Sequence, residues 1–204
     1  MTTTFALIFA LLIGFGQNDT QTTVKANEAP TWTIDANHSA LNFNIRHFFT
    51  PVPGTFTQWG GTLKFDANNL EGSMMDITIQ VPSINTKNER RDGHLRTADF
   101  FDAEKYPTMR FVSSEIRKTG DNTFVAVGEL TIKETTKTIE LPFELLGAMP
   151  DPQREGMTVA GFRAETSILR NEYGVGTGDY IQTAVIGNEV EIEILLEVRA
   201  NLGE

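Results

Sequence analysis

The run ALNFNIRHF, Ala40 to Phe48, places Leu41, Phe43, Ile45 and His47 on one side of an extended chain and Asn42, Asn44 and Arg46 on the other. A repeat of two marks a β-strand with one apolar face and one wet face, whereas a helix would space its apolar residues three and four apart. The pattern recurs along the chain. MDITIQV alternates Met75, Ile77, Ile79 and Val81 against Asp76, Thr78 and Gln80. VEIEILLEV puts Val190, Ile192, Ile194 and Leu196 on one face, and its other face begins with Glu191 and Glu193 before admitting Leu195. Parallel sheets are buried on both sides, so strands wet on one face form an antiparallel sheet.

Turn chemistry at DANN (Asp66), KTGDN (Lys118), MPDPQREG (Met149) and VIGNE (Val185) is expected to separate the strands. The result is an all-β reading, with about eight antiparallel strands in one series from Thr31 onward and no internal repeat or second domain. Such strands either close into a barrel or pack as a sandwich. A closed barrel of this size encloses a lumen for one small ligand, so the same apolar faces supply either a cavity wall or a filled core.

The 204 residues carry a net charge of −10 and include 14 Phe but no Cys. The acidic balance argues against nucleic acid, which needs a basic stripe, and against electrostatic docking on anionic headgroups. Without Cys there is no thiol catalysis, thiolate metal site or disulfide. FALIFALLIGFG, Phe5 to Gly16, is an uncharged apolar run with the length of a signal-peptide core, below the ~20 residues of a membrane span. Residues 1–16 are therefore expected to be a signal peptide or N-terminal anchor, with cleavage before Gln17, although no Lys or Arg precedes Lys25. Residues 17–30 are polar and aperiodic and read as a flexible linker; residues 31–200 form the barrel domain. Export to the periplasm or the cell exterior follows.

One stretch breaks the strand pattern. RRDGHLRTADFF, Arg90 to Phe101, reads as a charged helical insertion over about Asn88–Phe101, capped by Asn85 or Thr86 and weakened by Gly93. Arg91, Asp92, Arg96 and Asp99 stand at three- and four-residue spacings that suit ion pairs on one face. Phe100 and Phe101 are expected to plug the barrel end, and His94 to act as a hydrogen-bonding pin. His38, His47 and His94 have no metal-binding spacing, and nothing forms a nucleophile elbow.

WTIDANHSALNFNIRH at Trp32, SINTKNERRDGHLRTADFFDAEKYPTMRF at Ser83, GELTIKETTKTIELPF at Gly128 and AGFRAETSILRNEYGV at Ala160 follow one another as in the YceI-like family, which this chain resembles over about Thr31 to Val198. Glu134 and Thr138 stand where that pattern usually has Gly and Pro. The resemblance implies a lipocalin-like, extended antiparallel barrel that binds a polyisoprenoid, an isoprenoid quinone or a fatty-acid-like lipid. It also implies that the apolar faces line a lumen, with Phe43, Ile45, His47, Phe65, Ile77 and Ile79 from the first half of the chain. Met109, Phe111, Phe143, Phe162, Ile192 and Ile194 complete the wall, and Asp92, His94, Phe100 and Phe101 form its cap or mouth.

Since no phosphate-binding cluster is evident, a neutral or weakly polar head is expected, with no cofactor, no metal and no catalytic residue. The partner is an apolar lipid, with transient membrane contact and a dimer left open. The rival readings are a metal-dependent extracytoplasmic enzyme using the three His, and a purely structural or interaction barrel.

Overall fold

The computed structural model describes residues 28–202. The expected signal peptide and residues 17–27 of the expected linker lie outside the described residues. The last three linker residues pack onto the body: Ala29 is buried and its amide donates to the Gly72 carbonyl, Pro30 accepts from Phe65, and Glu28 pairs with Lys64.

Eleven strands and one α-helix follow in chain order: β1 (Thr31–Ile34), β2 (Ala40–His47), β3 (Thr50–Phe56), β4 (Trp59–Lys64), β5 (Met74–Gln80), β6 (Ile84–Asn85), α1 (Glu89–Leu95), β7 (Thr108–Lys118), β8 (Thr123–Ile132), β9 (Thr135–Pro150), β10 (Thr158–Leu169) and β11 (Ile186–Ala200). Eight of them, in the order β1-β4-β5-β7-β8-β9-β10-β11, close on themselves through Thr33↔Arg199 and Ile34↔Val198. Every pairing in this ring is antiparallel. The structure is therefore a closed barrel and not a sandwich.

The three extra strands arise because three long strands are interrupted, between β1 and β2, between β3 and β4 and between β5 and β6. β1 and β2 both lie along β11, separated by Asp35–Ser39, a short loop stitched to Glu197 by the Asp35 amide and the Ser39 hydroxyl. β3 pairs with β2 and then with β6, whereas β4 pairs with β1 and β5. The expected turn at Val185 is found only at its start: the turn covers Thr183–Val185 and ends before Ile186. β11 starts at Ile186 and shifts register before Val190, because Ile186 and Val190 keep their β2 partners His47 and Ile45 while the residues between bulge out. In the expected turn at Met149, β9 runs on to Pro150 and the reversal occupies the residues between Asp151 and Met157, whose backbone groups bond at 2.8 Å.

At the end where β11 finishes, the lumen is filled. Phe65 sits edge-on to Phe124, Phe143 and Phe162, with ring centroids 5.0–5.6 Å apart, and Trp32 meets Phe162 at 6.4 Å. The Trp32 indole also donates to the Phe65 carbonyl. Edge-to-face packing matches ring edges to π faces, so this floor gains geometric specificity as well as apolar burial.

The outer edge of the same end is held by charge. Arg199 reaches Asp35 at 2.6 Å, Glu197 at 2.7 Å and Asp151 at 2.8 Å, joining the β1–β2 and β9–β10 connections to β11. The bond from His38, helped by the Asn37 amide, lowers the Asp35 pKa from its ordinary 3.8 to about 2. Asp151 is likewise lowered, first by the Gln153 amide and then by Arg199. A depressed carboxylate contributes its stability above the unfolded value and loses it as pH falls through the folded one. Thermal melts from pH 5 down to pH 2 should thus decline mainly below about pH 4. In Arg199→Met the decline should be shallower, from a lower starting melting temperature.

Candidate functional site

The insertion between β6 and β7 closes the other end of the barrel. Its helix is α1, and its N-cap is Asn88, whose side chain accepts from the Arg91 amide. Asn85 and Thr86, the expected caps, are used elsewhere. Asn85 accepts from the Lys87 amide, and Thr86 bonds to Asp92 through both its amide and its hydroxyl.

The expected ion pairs on this helix do not form, because backbone and hydroxyl groups claim the charges first. Arg91 donates to the Thr86 hydroxyl and carbonyl, and Arg96 donates to the carbonyls of Pro82 and Ile84. These bonds tie the cap to β6 and to the strand end before it. Lys133, at the β8–β9 tip, donates to the carbonyls of Phe100 and Gly174. The Thr177 amide bonds to the Asp99 carbonyl at 2.8 Å. The cap is thus attached on three sides.

Beneath it lies a cavity of about 920 Å³. A second space of about 140 Å³ lies toward the floor, and Leu41, Ile79, Leu130 and Ile192 border both. Of the residues expected in the lumen, Phe43, Ile45, His47, Ile79, Met109 and Ile192 line the large cavity. Phe65, Ile77, Phe111, Phe143, Phe162 and Ile194 line the small one, next to the packed floor. Phe43 lies over its cross-strand neighbour Gly54, where any Cβ would stand 2.2 Å from the ring, so glycine here keeps the ring flat against the wall.

At the cap, Phe100, Phe101 and His94 line the large cavity, and Asp92 does not: it is buried against Thr86. Phe100 is the deeper of the two aromatic residues, only 5% exposed, while half-buried Phe101 meets Phe56 edge-on. His94 bonds Asp99 at 2.9 Å and packs edge-on to Phe100 and Tyr180.

Four arginines also line the large cavity: Arg46, Arg90, Arg91 and Arg170. Asp179 is the one carboxylate on the same wall among the described residues. The sequence reading missed this group, since the four come from β2, α1 and the segment after β10. Arg170 is 3% exposed. Its guanidinium donates to the carbonyls of Gly187, Val175 and Ile186 and to no carboxylate. Burial lowers its pKa from the ordinary value. It fits only because Gly176, at φ +94°, leaves space where a Cβ would lie 2.1 Å from Nη1.

The histidines are spread over the molecule. His38 is at the floor end, bonded to Asp35, while exposed His47 and half-buried His94 are at the cavity. Among the described residues, the grouping closest to a metal-ligand set is Asp35, His38 and Glu197. Arg199 already occupies both of its carboxylates.

A closed eight-stranded barrel with an apolar internal cavity under a helical cap defines a lipocalin-like architecture. Residues 32–198 match the YceI-like domain, and the chain belongs to that family. It is 35% identical over 144 residues to Protein YceI of Escherichia coli strain UMN026, covering 70% of this chain and 74% of that one. A UPF0312 protein of Pseudomonas savastanoi is 34% identical over 159 residues, covering 76% and 82%. The crystal structure of Burkholderia cenocepacia BcnA superposes with a TM-score of 0.72 at 26% identity, covering 81% of this chain and 99% of that one. A polyisoprenoid binding domain from Saccharophagus degradans shares the fold at a TM-score of 0.60 and 16% identity, covering 83% and 98%.

The burial difference at the cap gives a measurable ordering. Phe100→Ala should cost ~3–5 kcal/mol of stability, the usual penalty for emptying a buried Phe site. Phe101→Ala should cost less. Denaturant melts of the two variants check the order.

Proposed function

We propose that this protein binds one apolar lipid in the large cavity, tail inward and polar end at the arginines, and carries or sequesters it outside the cytoplasm. The observation that supports this is the cavity itself. Its volume of about 920 Å³ is that of a small-molecule site, and its inner wall is made of side chains such as Ile79, Met109, Leu130 and Ile192. Each buried CH₂ contributes ~0.8 kcal/mol, so a prenyl or acyl tail supplies ample affinity without directed contacts. The shared fold with a polyisoprenoid binding domain agrees with this reading, although the cavity carries it.

The head group is where the structure redirects the expectation. Four arginines facing one carboxylate favour a head that accepts hydrogen bonds or bears negative charge, instead of a neutral one. The uncharged run at Phe5–Gly16 supports export. We read the protein as a binding protein and not an enzyme. The metal-enzyme rival loses support because His38 is at the opposite end of the barrel from His47 and His94.

Mass spectrometry of organic extracts, with elemental analysis of the same preparation, tests the proposal. A co-purifying lipid near one equivalent is the expected result; stoichiometric zinc or iron without lipid would favour the enzyme. An empty extract, together with failure to take up a fluorescent lipid, would favour a structural barrel. Leu130→Ala should join the two compartments and shift the extracted or captured lipids toward longer tails.

A further inference from the structure

We propose that the β2–β3 hairpin tip, Phe48–Phe49, is a docking element that inserts into an anionic lipid surface and places the cavity mouth against it. The inference rests on the lipid-binding reading above and adds the surface at which lipid is exchanged.

The tip is unusual for a two-residue hairpin. Such turns favour Asn and Gly because their backbone must take positive φ. Here His47 pairs with Thr50, and the two loop residues are both Phe, with Phe48 at φ +50°. Phe49 is 97% exposed and Phe48 50%. A turn that could be polar instead presents two large apolar rings to solvent.

The tip does not stand alone. The Phe48 amide bonds to the Val185 carbonyl at 2.7 Å, and Arg46 donates to the carbonyls of both Phe48 and Thr183. The His47 ring meets Phe48 edge-on at 4.8 Å. These bonds join the hairpin tip to the segment that carries Ile181 and Val185, both also exposed. The joined apolar platform borders the cavity, because Arg46, His47 and Val185 line it.

Charge selects the occupant. The protein as a whole is acidic, at −10, and would be repelled by an anionic surface. The platform is the exception: exposed Arg46 and Arg90 line the adjacent mouth, opposed there by Asp179. Aromatic tips beside cations suit the interfacial zone of a bilayer, where rings bury among acyl chains and cations meet phosphates. With so much negative charge elsewhere, the attraction is local and should weaken with salt.

The test uses the full chain and vesicles of phosphatidylglycerol and phosphatidylethanolamine in equal parts, some carrying acyl-brominated lipid. Phe49→Trp should show bromine quenching above the background of Trp32 and Trp59, measured in the unaltered chain. Phe49→Ser should weaken vesicle flotation by about tenfold or more, the worth of one ring removed from an apolar environment. It should melt and retain extracted lipid like the unaltered protein. Vesicles of phosphatidylcholine alone, or added salt, should reduce the quenching.

The proposal is overturned if Phe49→Trp stays unquenched while the chain floats, since attachment then lies elsewhere. It is also overturned if the unaltered chain does not float, or if Phe49→Ser converts a dimer into a monomer, which would assign the patch to a second copy. A Phe49→Trp chain that is quenched on the vesicles, yet contains no lipid and takes up no fluorescent lipid, would instead defeat the cavity reading and leave the docking element standing.

Discussion

The ladder of β11 is the constraint on which the rest depends. On one edge it pairs with β10 from Glu189 to Ala200 without a break. Its other edge is shared, with β1 at Val198 and Arg199 and β2 from Leu195 upward. At the floor this sharing closes eight strands by hydrogen bonds alone, which leaves no sheet edge unpaired there. Above Asp35–Ser39 the partner of β11 is β2, which leads to β3 and β6 and not to β4 and β5. Closure at the mouth therefore falls to the cap, which is held mostly by side chains donating to carbonyls and by one backbone bond from Thr177. Arg96, Lys133 and the Thr177 amide do there what backbone pairing does at the floor. The filled half and the hollow half of the barrel are consequences of this difference.

The two ends also handle charge in opposite ways. At the floor, Arg199 is matched by three carboxylates, an arrangement in which each ion is compensated. At the mouth, Arg170 is buried among carbonyl dipoles, which solvate a guanidinium without neutralising it. A compensated network holds connections together. A cation solvated by dipoles but not neutralised keeps a positive field on the cavity wall.

Strand alternation was legible because each strand has one wet face, and the apolar residues chosen by that alternation do point inward. Which of them line space and which fill it was not legible. Phe65, Phe143 and Phe162 have the same sequence signature as Phe43, but their rings converge on one another at the floor, while Phe43 is laid aside over Gly54. The cap was found by its break in periodicity, but its bonds were misassigned. Spacing on a helix predicts side-chain pairs and is blind to the Pro82 and Ile84 carbonyls, at and just before β6, which are the actual partners of Arg96. The arginine group was invisible for a related reason: its members are up to 124 positions apart, from Arg46 to Arg170, and only the closed topology gathers them. VIGNE reads as a turn by composition, but only Val185 is in the turn; Ile186 already pairs with His47, and the residues from there to Val190 form a bulge.

The interruption at Asp35–Ser39 has a consequence for how the molecule opens. Local opening proceeds in contiguous cooperative units that often coincide with supersecondary motifs such as a hairpin. The five-residue loop separates β1 from β2 and is pinned by the Ser39–Glu197 bonds, so opening of the upper hairpin is expected to stop there before it reaches the aromatic floor. The barrel is thus built as a rigid cup with a compliant rim, and amide exchange would divide along that line, slow in β1, β4 and the end of β11, fast around the hairpin. A binder of this design can release what it holds by a fluctuation of its rim, at a free-energy cost well below that of unfolding.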